Sequence, residues 1–242
     1  NVPIESAPSD ELEREILREI DQAKNKKKET PHVGAGPKIK RVFIYHSHFS
    51  ESYIPEVRRT NDAQRNITLV GKHFQRSLEK MGIGALVSDQ KYPFRHAYRY
   101  SRQTVLQAMK KHQHLQYFFD IHRDSQRHAV TTKRIHNKTY ARLAFVVGKS
   151  SEYFTENLQF ARTLHERINR LYPGLSRGVF IKQRSSSSNG EYNQSLSPRS
   201  ILVEVGGVDN TFSEAYRSVE ALARVVRESL DDAVPVLKKE EN

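Results

Sequence analysis

Histidines and carboxylates follow three short apolar segments that lie far apart in the chain. The segments are Val42–Tyr45, Tyr117–His122 and Ile201–Val205, and each has the composition of a buried strand. The polar side chains at their carboxyl ends are His46, His48 and Glu51, then His122, Arg123 and Asp124, and finally Glu204. Open parallel sheets bind ligands beyond the carboxyl ends of their strands, so three such ends that meet would form a candidate active site.

These residue types are suited to holding a metal ion for hydrolysis. The chain has no cysteine, which excludes thiolate ligands and a cysteine nucleophile and leaves imidazole and carboxylate as ligands. Zinc held by two histidines and one carboxylate keeps a fourth position for water, and a nearby carboxylate can take the proton of that water. Glu204 suits the second role, because a carboxylate at the end of an apolar run is costly to bury. The sequence contains no phosphate-binding glycine loop, no HExxH pair and no GxSxG turn.

Strand patterns alternate with helical patterns from residue 38 onward. The predicted strands are Val42–Tyr45, Ala85–Ser88, Tyr117–His122, Leu143–Val147, Val179–Lys182 and Ile201–Val205. The predicted helices are Asp62–Met81, Ser101–His112, Phe154–Leu171 and Ser213–Ala233. This alternation predicts an α/β fold with a twisted, mostly parallel sheet of about six strands and helices on both faces.

The N-terminal part of the chain differs from the rest. A narrow apolar stripe predicts a short helix, and its members are Leu12, Ile16, Leu17 and Ile20. The basic run Lys24–Lys28 then ends the pattern. We therefore predict a helix and basic linker over residues 1–37 and a catalytic domain over residues 38–242. Within that domain, Arg184–Ser195 is rich in serine, glycine and asparagine and is predicted to be a mobile loop beside the active edge.

The charge of the chain favours a polyanionic partner. Lysine and arginine exceed aspartate and glutamate by 40 − 28 = 12, as expected of a protein that binds nucleic acid, anionic lipid or bacterial cell wall. Nucleic acid is disfavoured, because the aromatic residues lie in apolar segments and are not interleaved with basic ones. No apolar run approaches the roughly 18 residues of a membrane span. The chain begins at Asn1 and not at methionine, so we expect any signal or anchor to lie upstream.

Three motifs resemble those of the stage II sporulation protein P family. They are VFIYHSHFSES at 42–52, DIHRDS at 120–125 and ILVEVGGVDNT at 201–211. The YNQ triplet at 192–194 and the helix start at Asn66 also fit, and the resemblance covers about residues 40–235. It implies an amidase-like fold and N-acetylmuramoyl-L-alanine amidase activity on peptidoglycan during engulfment, in which peptide cross-links are also cut.

The same resemblance implies roles for individual residues. The family is similar to the zinc amidases of the cell wall, which makes His48 and His122 the expected Zn2+ ligands and Glu204 the catalytic carboxylate. Arg123 is expected to bind a substrate carboxylate or to steady the oxyanion, and Asn193 is expected to contact substrate.

The third ligand has three candidates. The sequence Tyr-His-Ser-His replaces the Asp-Pro-Gly-His turn of the related amidases, which makes His46 an additional candidate. Glu51, three residues after His48, is the expected ligand, because the chain can turn back there toward the same metal. Asp62 is the other alternative, since it lies where the glutamate of the related amidases would align.

The resemblance also implies partners and a location. The partners are peptidoglycan and the engulfment proteins SpoIID and SpoIIM, and nucleic acid is not expected. The location is extracytoplasmic at the septum, with a membrane anchor outside this chain. Two other functions remain open from the residues alone. One is a zinc peptidase acting on other peptides, and the other is a non-enzymatic basic module that binds wall or nucleic acid.

Overall fold

The computed structural model describes Pro37, residues 39–185 and residues 188–231, and the helix predicted near the N-terminus lies outside them. The strands in this part of the chain are β1 (Lys40–Tyr45), β2 (Gly84–Val87), β3 (Tyr117–Asp124), β4 (Thr132–Ile135), β5 (Lys138–Ala141), β6 (Leu143–Gly148), β7 (Ser176–Lys182) and β8 (Ser200–Gly207). The α-helices are α1 (Ile54–Val57), α2 (Ile67–Lys80), α3 (Ala97–Lys111), α4 (His128–Thr131), α5 (Phe154–Leu171) and α6 (Phe212–Asp231).

Six strands form one sheet in the order β2–β1–β3–β8–β6–β7, and β4 and β5 form a separate hairpin. The first four strands of this order are parallel to one another, whereas β6 runs antiparallel to β8 and carries β7 parallel to itself. The sheet is therefore mixed but mostly parallel, which confirms the predicted fold class. Because β1, β3 and β8 are adjacent and parallel, the three segments with polar ends finish at the same edge.

Side chains alternate between the two faces of the sheet, as strand geometry requires. Ile44, Phe119 and Val203 belong to the larger core, which also contains the apolar faces of α2, α5 and α6. Tyr45 and Phe118 point the other way and pack with α3. Helices thus cover both faces of the sheet. Because side chains alternate along β3, Asp120 lies on the same side as Phe118, facing α3. None of the described helices is both long and apolar enough to cross a lipid bilayer.

Two helix boundaries differ from the predicted ones. Helix α2 begins at Ile67, because Asn66 caps it by accepting the N–H of Thr68. Asp62, the predicted start, lies in the turn before the helix, where its carboxylate accepts the backbone N–H groups of Gln64 and Arg65. Helix α3 begins at Ala97, before the predicted start. The elements α1, α4, β4 and β5 were not predicted, since each has four residues and is too short to show a period.

Gly71 in α2 leaves room for the buried ring of His46. A Cβ atom at position 71 would overlap Nε2 and Cε1 of that ring. The ring cannot easily move aside, because it is 1% exposed and its Nδ1–H donates to the carbonyl of Ile121 over 2.8 Å. The glycine therefore allows α2 to pack closely against the end of β1.

The Gly71→Ala variant is expected to be less stable by about 1–3 kcal/mol, the usual cost of overpacking a core. At an uncrowded helix position the same change stabilises a protein by roughly 0.5–1 kcal/mol, so the sign of the effect is informative. Urea unfolding measures it. In a His46→Ala background, Gly71→Ala should become neutral or stabilising. A stabilising effect in the otherwise wild-type protein would contradict this packing.

Candidate metal centre

Three side chains from the carboxyl ends of β1 and β3 meet at the sheet edge. Glu51 Oε1 lies 3.7 Å from His48 Nδ1 and 3.4 Å from His122 Nδ1. One nitrogen or oxygen atom from each of the three residues lies within 4.8 Å of the others, and no other described group of histidine and carboxylate side chains has this arrangement. All three are more than nine-tenths buried. The structure thus brings together the two histidines and the glutamate expected from the sequence.

The segment after β1 folds back and places Glu51 opposite the imidazoles. Glu51 forms a β-bridge with Asn61, and the N–H of Ser52 donates to the carbonyl of Thr60 over 2.8 Å. The N–H of Ile67, at the start of α2, donates to the carbonyl of Glu51 over 2.8 Å. The backbone is therefore held on both sides of Glu51, so its carboxylate has a defined direction.

The second nitrogen of His122 is occupied by protein groups. Its Nε2 lies 2.9 Å from Asp120 Oδ1 and 2.9 Å from Ser47 Oγ. Ser47 donates its backbone N–H to Asp120 Oδ1 over 2.9 Å and its hydroxyl to Oδ2 over 2.6 Å. Sequence reasoning assigned no role to Asp120. The available signal was its position two residues before His122, on the same face of a strand whose remaining residues before His122 are apolar.

The charges of neighbouring side chains shift the pKa values of the candidate ligands Glu51 and His122. Burial alone would raise the pKa of Glu51, but the neighbouring His122 holds it well below its usual range. Burial alone would lower the pKa of His122, but Asp120 and Glu51 raise it well above its usual value. The negative potential of these two carboxylates would also attract a divalent cation, which competes with protons for the imidazole nitrogen.

The donor set fits zinc. Ligands about 2.0–2.1 Å from a tetrahedral zinc ion lie roughly 3.4 Å from one another. Glu51 Oε1 lies 3.4 Å from His122 Nδ1 and 3.7 Å from His48 Nδ1. The other carboxylate oxygen, Oε2, accepts the backbone N–H of Arg123 over 2.8 Å, which leaves Oε1 directed at the imidazoles. Two imidazoles and one carboxylate leave one tetrahedral position for water.

Glu204 lies next to this group on the neighbouring strand. Its Cα pairs with that of His122 in the parallel β3–β8 ladder, so the two side chains project from the same face, and Glu204 is half-buried. Near the end of β8, Gly206 has a φ of 68°, and a Cβ there would lie 2.7 Å from that of Ala141. Glycine adopts this backbone conformation without strain, which explains the glycine two residues after the predicted catalytic carboxylate.

The two alternative third ligands lie elsewhere. His46 is on the opposite face, against α2, and burial lowers its pKa to about 4, so the ring is neutral at neutral pH. The carboxylate of Asp62 pairs with Arg59 and accepts the backbone N–H groups of Gln64 and Arg65. Neither belongs to the three-residue group. The geometry therefore favours Glu51 as the third candidate ligand.

Two residues expected to contact substrate are turned into the protein. The guanidinium of Arg123, 7% exposed, donates to the carbonyls of Thr60 and Asp124. The amide of Asn193, 1% exposed, donates to Ser101 Oγ over 2.8 Å. Arg123 thus fastens the folded-back segment, and Asn193 fastens its loop to α3. The expected contacts of both residues with substrate stay predictions.

Aromatic rings flank His48. Phe94 stacks on its ring with centroids 4.7 Å apart, and Tyr98 meets it edge-on at 5.4 Å. Tyr192 packs against Tyr98 at 5.5 Å, which brings the loop Arg184–Ser195 to the site. Sequence reasoning did not single out these rings, because they come from segments far from His48 in the chain.

Comparisons with known proteins agree with this architecture. The profile of the family described as Stage II sporulation protein P (SpoIIP) matches residues 4–227. The chain is 42% identical over 259 aligned residues to Stage II sporulation protein P of Bacillus subtilis (strain 168), which covers 98% of this chain and 64% of the relative. The chain therefore spans slightly less than two-thirds of the length of that relative.

Two solved structures are similar to the chain. The N-acetylmuramoyl-L-alanine amidase of Clostridium difficile 630 superposes with a TM-score of 0.52 at 13% identity, over 81% of this chain and 99% of that one. The amidase AmiC2 of Nostoc punctiforme has a TM-score of 0.47 at 17% identity, over 82% of this chain and 99% of that one. The first likeness shows an amidase-like fold. By its profile match and its identity to the Bacillus relative, the chain belongs to the stage II sporulation protein P family.

Proposed function

We propose that this chain carries the catalytic domain of a zinc-dependent N-acetylmuramoyl-L-alanine amidase. It hydrolyses the amide bond between N-acetylmuramic acid and the L-Ala of the stem peptide in peptidoglycan. The observation that carries the proposal is the buried group His48, Glu51 and His122, whose candidate ligand atoms lie within 4.8 Å, beside Glu204. Membership of the family and the fold shared with a Clostridium difficile amidase support it.

The candidate ligands and Glu204 have different roles in the proposed hydrolysis. A zinc ion held by His48, Glu51 and His122 would polarise the scissile carbonyl and acidify a water molecule. Glu204 accepts the proton of the attacking water and returns it to the nitrogen of the leaving L-Ala, as a general base and then a general acid. Two observations support this role. Glu204 lies on β8 in register with His122, and it does not belong to the three-residue group of candidate ligands.

The wider setting is also a proposal. The enzyme acts outside the cytoplasm at the septum during engulfment, in association with the membrane and with SpoIID and SpoIIM as partners. Residues 38–242 make up the proposed catalytic domain, and residues 1–37 lie outside it. Cleavage of peptide cross-links at the same site is the second activity proposed.

Digestion of purified sacculi tests the reaction. Zinc-loaded protein is expected to release stem peptides with a free L-Ala amine and to leave glycan strands without new reducing ends. Chelation should abolish this release and added Zn2+ should restore it. Chromatography with mass spectrometry identifies the products.

The products also separate the rival functions. Cut cross-links alone, with the muramoyl amide intact, would indicate a zinc peptidase and contradict the amidase assignment. Binding to sacculi without any product would indicate a non-enzymatic basic module. Full activity in protein shown by elemental analysis to be metal-free would contradict the zinc mechanism.

Wall binding is expected to weaken as salt rises. The chain has a net charge of +12, and the anionic wall attracts it through charges that salt screens over about 8 Å at physiological ionic strength. Co-sedimentation of the Glu204→Gln variant with sacculi measures binding without digestion. Equal binding at low and high salt would show that contacts within the site dominate.

A further inference from the structure

We propose that Asp120, supported by Ser47, is a positioning residue that keeps a proton on Nε2 of His122 and so makes Nδ1 the atom that binds the metal. The inference rests on the proposed metal site and adds a residue outside the set of candidate ligands. Asp120, Ser47 and His122 are each 0–1% exposed, so their hydrogen bonds form without competition from water.

The directions of the hydrogen bonds follow from the inventory of donors. Asp120 accepts the backbone N–H of Ser47 at Oδ1 and the Ser47 hydroxyl at Oδ2. Because the hydroxyl proton of Ser47 is given to Asp120, the Ser47 oxygen can only accept from His122 Nε2. Both neighbours of Nε2, Asp120 Oδ1 and Ser47 Oγ, are therefore acceptors, and Nε2 must carry the proton.

This assignment makes Nδ1 of His122, which faces the candidate site, the nitrogen whose proton a metal ion would replace. Nδ1 faces Glu51 Oε1 at 3.4 Å, longer than the roughly 2.7–2.9 Å of a charge-assisted hydrogen bond. A histidine that binds a metal usually donates its other N–H to a carboxylate or carbonyl, which fixes the ring and raises the basicity of the ligating nitrogen. Asp120 supplies that acceptor here.

The network also joins the two strands that carry the ligands. Ser47 directly precedes His48 after β1, and Asp120 lies two residues before His122 in β3. The two bonds from Ser47 to Asp120, 2.9 and 2.6 Å long, hold these strand ends together. The separation of the two imidazoles, 5.2 Å between ring centroids, is therefore set before a metal binds.

The Asp120→Asn variant tests the proposal with nearly unchanged shape. Its NH2, at the position of Oδ2, would donate to Ser47 Oγ and leave that hydroxyl free to donate toward Nε2. Its oxygen, held at the position of Oδ1 by the N–H of Ser47, has no net charge and would accept from Nε2–H more weakly than a carboxylate, so the required tautomer loses most of its stabilisation. Competition titration with a chromophoric chelator is expected to show a loss of zinc affinity of about 10–100-fold, the usual effect of removing such a partner. Asp124→Asn is the matched control, since it removes a carboxylate four residues further along the same strand, where Asp124 pairs with Arg177 over 2.6 Å. Its loss should be clearly smaller.

Nitrogen-15 NMR of the zinc-loaded wild-type protein gives a second readout that needs no variant. Long-range correlations should show Nδ1 of His122 bound to zinc and a slowly exchanging Nε2–H. Ligation through Nε2 would overturn the proposal, and so would wild-type affinity in a folded Asp120→Asn protein. The zinc content of the protein tests the metal site itself. It should be stoichiometric in the wild type and lost in His48→Ala. Absence of that zinc would contradict the proposed function as well.

Discussion

Replacement of Glu204 by glutamine is expected to lower turnover on peptidoglycan by about 10²–10⁴-fold, the usual loss when a general base is removed. Zinc content and thermal stability should stay at wild-type values. Glutamine keeps the size and the hydrogen-bonding reach of the side chain but cannot accept the proton of water. The position of Glu204, in register with His122 on the next strand, gives it access to that proton.

The measurement combines zinc content, thermal unfolding and turnover on one preparation of each variant. Asp124→Asn is the control, because it removes a carboxylate from the same edge and should retain most of the activity. Near-normal turnover in Glu204→Gln would remove this residue from catalysis. Loss of zinc together with turnover would make Glu204 a ligand. Loss of turnover in Asp124→Asn alone would transfer the role of base to Asp124.

Removal of the Glu51 carboxylate is expected to abolish stoichiometric zinc binding. Glu51 Oε1 is the atom that lies close to both imidazoles, so Glu51→Ala leaves two nitrogens and no third ligand. The loss of affinity should exceed the roughly 100-fold upper range of outer-shell changes. Glu51→Gln, which keeps an acceptor for the N–H of Arg123, should also lose zinc and so separate ligation from folding.

Asp62→Ala and His46→Ala are the matched controls for this ligand set. Both should retain zinc, because Asp62 closes a turn and His46 lies on the other face of the sheet. Elemental analysis after gel filtration measures bound metal, and circular dichroism verifies the fold. Zinc retained in Glu51→Ala but lost in either control would show that the ligand assignment is wrong.

The sheet and the edge that bears the site were predictable because they depend on local composition. Val42–Tyr45 and Ile201–Val205 read as buried strands, and parallel neighbours finish at the same edge. The order that makes β1, β3 and β8 adjacent could not be deduced from those segments. Nor could the reversed direction of β6 and β7, since both directions suit an apolar strand.

Details of the site depended on long-range contacts. The choice among Glu51, Asp62 and His46 is made by the folded-back segment, whose β-bridge to Asn61 no local pattern reveals. Asp120 lay in a recognised motif, but its bond to His122 became evident only with the side chains in place. Asn193 was expected at the substrate because of the family resemblance, and the bond from its amide to Ser101 became evident only in the folded chain.

Anomalous diffraction at the zinc edge, from crystals of the zinc-loaded wild-type protein, tests the central claim most directly. The account predicts one strong peak about 2.0–2.2 Å from His48 Nδ1, Glu51 Oε1 and His122 Nδ1, with Glu204 near the open fourth position but not coordinated. A protein that takes up no zinc, or a peak coordinated by His46 or Asp62 in place of this group, would contradict it.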